Sequence, residues 1–339
     1  MSGWELDDTA QDEILRRSIL PLYFPDSPPI DSDPILVLLA GQPGAGRSRA
    51  TGIIVAEDDP NLAVVNGDDL RAFHPRSADV AATRAPEARE GIARATAGWV
   101  RESIRYAREN HRSLLLEGAF QDPVVAVGTA ERFAAAGFQT HVVVVASRRA
   151  ESLLSATSLY LRDVLRTSTA ARFVSRDAHD RAFDATRALV AASEGAASVG
   201  RLTVLDRGGR TVFDARRSDR ADPFHDASVA LEAAQTARLG RFDATQWLSE
   251  LHHITEFAAS RRDLPLGVTE LLLDLHETAL REVIPELHVP SGGKFTIAIE
   301  QRTVANLVAL RRSLPREQAV DIAAPVVAPV GPDRGGISR

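Results

Sequence analysis

The sequence predicts an α/β fold: a parallel sheet flanked by helices on both faces, with a C-terminal all-helical appendage. Three observations carry this. An apolar run at 35–40 has the length of a strand buried on both faces, and a glycine-rich turn follows it at once. Short apolar runs then alternate with helix-periodic stretches to about residue 215, as expected of parallel strands joined by helical crossovers. Beyond residue 222 only helical periodicity remains.

In chain order, residues 1–34 hold one short amphipathic stretch, 13–22, and then Pro25, Pro28, Pro29 and Pro34, which read as a small helix and a stiff lead-in. The α/β unit spans 35–216. Its strands are expected at 35–40, 62–65, 114–116 and 140–146, and its helices at 85–109, 124–136, 150–165 and 178–193. Strands at 201–206 and 211–214 are joined by Arg207-Gly208-Gly209-Arg210, a hairpin signal. The helical region covers 222–314, with helices at 227–239, 245–260, 268–283 and 297–314 punctuated by Pro265, Pro285, Pro290 and Gly292-Gly293. Residues 315–339, with four prolines and a Gly-Gly pair, read as a flexible tail.

Composition removes several classes of function. The net charge of −6 argues against a general nucleic-acid binder, which needs a basic surplus to neutralise phosphates. No apolar run approaches the ~18 residues of a membrane span, and Met1-Ser2-Gly3-Trp4-Glu5 does not open a secretory signal, so a cytoplasmic location is expected. Without cysteine there are no disulfides, thiolate nucleophiles or cysteine-held zinc. Lys294 is the only lysine among 40 basic residues, so arginine is the default cation and an arginine at the surface carries little functional signal.

The strongest motif is Gly41-Gln42-Pro43-Gly44-Ala45-Gly46-Arg47-Ser48, directly after the first strand. It fits the P-loop pattern G-x-x-x-x-G-K-[ST], except that Arg47 stands where lysine is usual. Glycines let backbone N–H groups turn inward around phosphate oxygens, and the helix that follows offers its positive end to the same anion. The fold expected is therefore P-loop NTPase/kinase-like, with a bound nucleotide and with Ser48 as a Mg²⁺ ligand. A guanidinium keeps the lysine's charge but is planar, forked and longer.

Two acids follow at strand ends, where ligands of α/β sheets sit. Val65-Asn66-Gly67-Asp68-Asp69 offers Asp68 as a candidate base, with Asp69 as a helix cap. Leu116-Glu117-Gly118 offers Glu117, to orient Mg²⁺ through water or to hold a substrate hydroxyl. In the arginine-rich stretch from Arg148 to Arg181, Arg172 and Arg162 are the candidates to close over phosphates. His252, His253, His276 and His288 match no metal-ligand spacing and read as structural histidines.

Together these pieces resemble the zeta toxin family, the P-loop kinase half of bacterial toxin–antitoxin pairs. The matching residues are the loop 41–48, Asp68 through His74-Pro75, Leu116-Glu117-Gly118, and Ala171-Arg172 with Ala178-His179-Asp180, over about residues 30–215. The resemblance implies ATP- or GTP-dependent phosphorylation, with Mg²⁺, of a hydroxyl on a sugar nucleotide such as UDP-N-acetylglucosamine. On that pattern Asp68 is the base, Asp68, Glu117 and His74 contact the substrate, and Arg172 contacts the transferring phosphate. Two positions depart from the pattern: Arg47 replaces the P-loop lysine, and Leu159-Tyr160 stands where the first lid arginine is expected, with Arg162 one turn on. Three readings stay open: an active kinase of this type, a nucleotide-binding module without transfer, and a kinase for another small molecule such as an antibiotic. The partners expected are the small-molecule substrate and an antitoxin, either a separate protein or the helical region covering the substrate cleft in cis; neither nucleic acid nor membrane is expected.

Overall fold

The structure is a computed structural model that describes residues 4–25, 33–57, 62–79, 86–167, 173–261, 264–289 and 293–314. Six strands form one sheet: β1 Ile35–Ala40, β2 Ala63–Asn66, β3 Leu114–Gly118, β4 Gln139–Ala146, β5 Arg201–Asp206 and β6 Thr211–Arg216, in the order β2-β3-β1-β4-β5-β6. The first five are parallel, and β6 returns antiparallel to β5 through a turn in which Gly209 has φ +88°. That turn is the hairpin the sequence predicts.

β1 lies at the centre because both its faces are apolar. Leu36, Leu38 and Ala40 enter one core and Val37 and Leu39 another, so the strand requires a layer on each side. The second face is covered by α2 (Arg47–Glu57), through Ala50 and Ile54. The first face is covered by α4 (Pro86–Glu109), α5 (Pro123–Ala135) and α7 (Arg176–Gly195), whose Trp99, Phe133 and Leu189 are fully buried. Between β2 and α4 lies the one-turn helix α3 (Gly67–Leu70), and α6 (Arg149–Thr167) follows β4.

At the N-terminus the helix is longer than the 13–22 predicted. α1 (Asp8–Ile14) is capped by Asp7, which accepts from Ala10 N at 2.8 Å, and the helix continues through Leu15–Ile19 and Leu20–Tyr23. Its first turn is exposed and carries no apolar stripe, so periodicity alone starts it late. Leu15 and Ile19 join the core beside Trp99, whose indole donates to Gln11 O at 3.1 Å.

Within 222–314 the residues divide between two cores. α8 (Ala227–Thr236) packs on the sheet, where Phe224, Ala227 and Leu231 are buried with Val204 and Leu202. The second core is built from α9 (Arg241–Ala259), α10 (Leu266–Thr278) and α11 (Lys294–Ser313), together with Leu153, Leu154, Tyr160 and Leu161 of α6. α10 runs on through Ala279–Val283 and Ile284–Leu287. Polar anchors weld this bundle to α6 and its approach: Trp247 Nε1 donates to Ala150 O (3.0 Å), Arg148 pairs with Glu286 (2.6 Å), Arg149 with Asp274 (2.8 Å) and Arg162 with Glu250 (2.7 Å). The tail 315–339 lies outside the described residues. Among the described residues no helix is long and apolar enough to cross a membrane, and no cluster of three His, Asp or Glu is placed to hold a metal.

The histidines of the bundle are part of its packing. His252 and His276 lie 6.1 Å apart, ring to ring; His276 is buried with Nε2 3.0 Å from Thr255 Oγ1, and His252 Nε2 is 3.3 Å from Thr303 Oγ1. Burial, with His252 adding, drives the pKa of His276 down to about 4. The unfolded chain takes up this proton near pH 6.5 and the folded chain refuses it until about 4, so stability present above 6.5 is lost as pH falls through that window. Thermal unfolding followed from pH 7.5 to 4.5 is expected to show a loss of at most about 3 kcal/mol from this group. His276→Gln should flatten the profile over that range.

Candidate active site

The loop 41–48 joins the buried end of β1 to the first turn of α2. Gly44 and Gly46 hold φ of +78° and +106°, a region costly for residues with a side chain. Space imposes the same choice at Gly44, where a Cβ would lie 2.1 Å from Ser152 O and 2.7 Å from Ala156 N on α6. Ala45 N donates to Gln42 O (3.1 Å), and Arg49 N and Ala50 N donate to Gly46 O (3.1 and 3.3 Å), so the helix begins without an intervening turn. Ser48 is exposed in that first turn. A glycine-rich backbone leading into a helix N-terminus is an anion cradle.

Arg47 does not extend freely from the loop. Its Nε donates to Glu117 Oε1 at 3.0 Å and its NH1 to Gly41 O at 2.7 Å, while Thr51 Oγ1 donates to Glu117 Oε2 at 3.3 Å. Both charged side chains are largely buried, at 18% and 9% exposure. The sheet order explains the meeting. β3 lies between β1 and β2, with Ala40 level with Gly118 and Asn66 level with Glu117. The loop, Glu117 and Asp68 therefore stand in a row along the carboxyl edge of three adjacent strands.

Asp68 is exposed in the first turn of α3. The cap of that helix is Asn66, whose Oδ1 accepts from Asp68 N at 2.8 Å; this corrects the expectation that Asp69 serves as the cap. Asn66 already has the extended backbone of a capping residue at the strand end, so the helix opens three residues early. A cavity of about 300 Å³ opens between β2, β3, α4 and α5, lined by Glu117 and by Gly67, the residue before Asp68. Aliphatic side chains and Phe120 wall it, and Glu117 and Thr129 are the polar side chains among its lining residues.

His74 does not line that cavity. It is 2% exposed, its Nδ1 accepts from Arg76 N at 3.2 Å, and burial lowers its pKa against a partial opposing effect of the Trp4 backbone. Arg162 points to the helical bundle, donating to Glu250, which also accepts from Ser158. Leu159 is 60% exposed on α6, one turn beyond the Ser152, Ser155 and Ala156 face that meets the loop. Arg172 lies outside the described residues. Among the described residues none of the cavity's lining residues comes from the bundle, whose polar anchors fall on residues 148–162.

Arg207 was not singled out from the sequence, where it reads only as part of a hairpin turn. Its NH1 donates to Gly44 O at 2.6 Å and its NH2 to Ser155 Oγ, so it clamps the loop to α6. Burial lowers its pKa; Glu151 opposes this and Arg49 adds to it. The signal that finds it is its place just past the carboxyl end of a parallel strand, the rule that selects Asp68 and Glu117.

The zeta toxin family model matches residues 23–219. Toxin PezT of Streptococcus pneumoniae is 26% identical over 190 residues, covering 55% of this chain and 73% of PezT. The zeta toxins of Enterococcus hirae and Streptococcus pyogenes are each 24% identical over 147 residues, 43% of this chain and 51% of theirs. A solved structure from the PezAT chromosomal toxin–antitoxin system of Streptococcus pneumoniae superposes with a TM-score of 0.63 at 19% identity, covering 75% of this chain and 99% of that one. At that identity the superposition shows a shared fold.

The loop geometry is testable by stability alone. Gly44→Ala is expected to destabilise the protein by at least ~2 kcal/mol, because the loop must leave α6. Gly52→Ala, in the middle of α2 with nothing near its Cβ, is expected to be neutral or to stabilise by up to ~1 kcal/mol. Chemical denaturation of both variants measures the contrast.

Proposed function

This chain belongs to the zeta toxin family, and from that premise we propose that it is a phosphotransferase. It moves the terminal phosphoryl group of ATP or GTP to a hydroxyl of a small molecule of the sugar-nucleotide class, such as UDP-N-acetylglucosamine. One observation carries this reading: the glycine loop, Glu117 and Asp68 stand side by side on one sheet edge, with a cavity lined by Glu117 and by Gly67, the residue before Asp68. Transfer needs a donor phosphate gripped by the main chain, an acceptor hydroxyl within reach, and a base beside that hydroxyl.

Each residue has a role in the proposal. The main chain of 41–48 and the N-terminus of α2 hold the donor's phosphates, and Arg207 stiffens this cradle through Gly44 O. Asp68 accepts the acceptor's hydroxyl proton. Glu117 orients that hydroxyl, and Arg47 and Thr51 orient Glu117. The oxygen donors of Ser48 and Glu117 fit a hard divalent cation. When bound there, Mg²⁺ would neutralise charge on the phosphate oxygens; Ser48 would be a direct ligand. Arg172 is the proposed cation over the transferring group. A separate antitoxin protein is the proposed partner.

A second reading, a nucleotide-binding module without transfer, is favoured by a specific set of observations. Arg47 is tied to Glu117, Leu159 occupies the expected arginine position, and Arg162 is held by Glu250. Losing transition-state cations of this type costs about 10³–10⁵ in rate each.

Incubation with labelled ATP, Mg²⁺ and a panel of sugar nucleotides and aminoglycoside-like acceptors, read by mass spectrometry, separates the readings. The expected result is label on one acceptor class; nucleotide binding with no labelled acceptor supports the module. Asp68→Asn is expected to lower turnover about 10²–10⁴-fold with little change in ATP affinity, and undiminished turnover would remove Asp68 as the base. Arg47→Lys cannot span both Glu117 and Gly41 O as the fork does, so the expected effect is a raised KM for the acceptor. If Arg47→Lys combined with Leu159→Arg instead raises turnover by orders of magnitude, the natural chain is a disabled kinase.

A further inference from the structure

Six side chains form a continuous polar chain from the helical bundle to the glycine loop. Asp274 on α10 accepts from Arg149 NH2 at 2.8 Å. The same guanidinium grips Asp180 through Nε and NH2 at 2.8 and 2.9 Å. Asp180 Oδ1 lies 3.1 Å from His179 Nδ1, and His179 Nε2 lies 2.9 Å from Ser152 Oγ. Gln42 Nε2 donates to Ser152 Oγ and to Ser147 O, both at 3.1 Å. Gln42, Ser152 and His179 are wholly buried.

Charge fixes the donors and acceptors from Asp274 to His179. Asp180 carries a carboxylate whose pKa the Arg149 and His179 bonds hold below the usual value despite burial, so it only accepts. His179, kept neutral by burial against the pull of Asp180, must therefore place its proton on Nδ1. Its Nε2 is then an acceptor for Ser152 O–H, whose single proton is shared with Arg148 O at 3.0 Å and Arg149 O at 3.2 Å, and the Ser152 oxygen receives Gln42 N–H. Ser152, His179 and Asp180 share the connectivity of a hydrolase triad. Here, however, the serine oxygen is sealed beneath the loop, so no substrate reaches it.

The position of Ser152 gives the chain its consequence. Its side chain holds Gln42, and its own carbonyl lies under Gly44, so the loop rests on this residue at two points. A small displacement at the start of α6 moves the phosphate cradle. Arg149 and Asp180 are about a third exposed, where ion pairs add little to stability, so what this pairing sets is the register of α6. We infer that Asp274, Arg149, Asp180, His179 and Ser152 are positioning residues through which the helical bundle sets the shape of the glycine loop and hence its grip on nucleotide. The inference rests on the reading of that loop as the nucleotide site.

The test uses the full chain, with affinity for Mg²⁺-ATP measured by calorimetry beside the unfolding midpoint. Asp274→Ala is expected to weaken ATP binding by about five-fold, although the residue lies outside the nucleotide site. Leu251→Ala, which opens the bundle core without touching the chain, should lower the unfolding midpoint at least as much and leave ATP affinity alone. In Ser152→Ala the chain is already cut, so adding Asp274→Ala should bring no further loss of affinity. Unchanged affinity in Asp274→Ala, equal losses in Asp274→Ala and Leu251→Ala, or additive losses in the double variant would each overturn the inference. Absence of ATP binding by the unaltered protein would instead overturn the nucleotide-site reading beneath it.

Discussion

The first atom of any side chain at position 44 would sit 2.1 Å from a carbonyl oxygen of α6, and much of the site follows from that closeness. A loop pressed onto a helix backbone has little freedom, so its N–H groups are fixed before any anion arrives, and fixed donors cost less to engage than donors that must first be ordered. The same contact draws α6 into the site. Arg207 bridges Gly44 O and Ser155, Gln42 reaches Ser152, and both attachments fall on the helix that also carries the bundle. The loop is thus a junction between a sheet, which supplies the acids, and a second core, which supplies the support.

Electrostatics along the sheet edge follow from strand order. Any long cation at position 47 faces the strand next door, which carries Glu117 one residue before its end. Lysine would present a compact, strongly hydrated charge able to swing toward phosphate. Arginine, with a planar fork, satisfies Glu117 and Gly41 O together. Arginine here therefore holds the cation against Glu117 and leaves the main chain and Arg207 as the fixed contacts around the loop. It also lines up the acid that faces a largely apolar cavity, where an unpaired carboxylate would be costly to keep.

The sheet was readable from the sequence because its parallel strands are built around short apolar runs. β1 and β5 fall at the expected residues, and β3 and β4 differ only at their ends. Glycine at 44 and 46 was readable because only glycine adopts those angles cheaply. What escaped depends on which surfaces meet. α8 has the same helical periodicity as α9, and only the structure shows that its apolar face lies on the sheet while α9 faces another core. Arg162 and Arg207 are two arginines among many, and what separates them is the partner: Glu250 across the bundle for one, the loop carbonyl for the other. His74 shares a motif with Asp68 but is turned into the interior beside the N-terminal segment. Periodicity reports that a face is apolar; it does not report what covers it.

The bundle's attachment argues for a role beyond ballast. A bundle that only needed to be held would be served by the apolar contacts of Leu153, Leu154 and Leu161, which carry no desolvation penalty. Instead Arg148 and Arg149, the second and third residues after β4, are each paired with carboxylates from the bundle, and Arg148 with Glu286 is almost enclosed. These are the two positions from which α6 starts, so charge pairing fixes the helix's angle and register where it leaves the sheet. Apolar packing tolerates sliding by a fraction of an ångström; a forked guanidinium between two carboxylates does so at much greater cost. Because the glycine loop lies on the first turns of α6, the placement that these pairs enforce is the one on which the cradle depends.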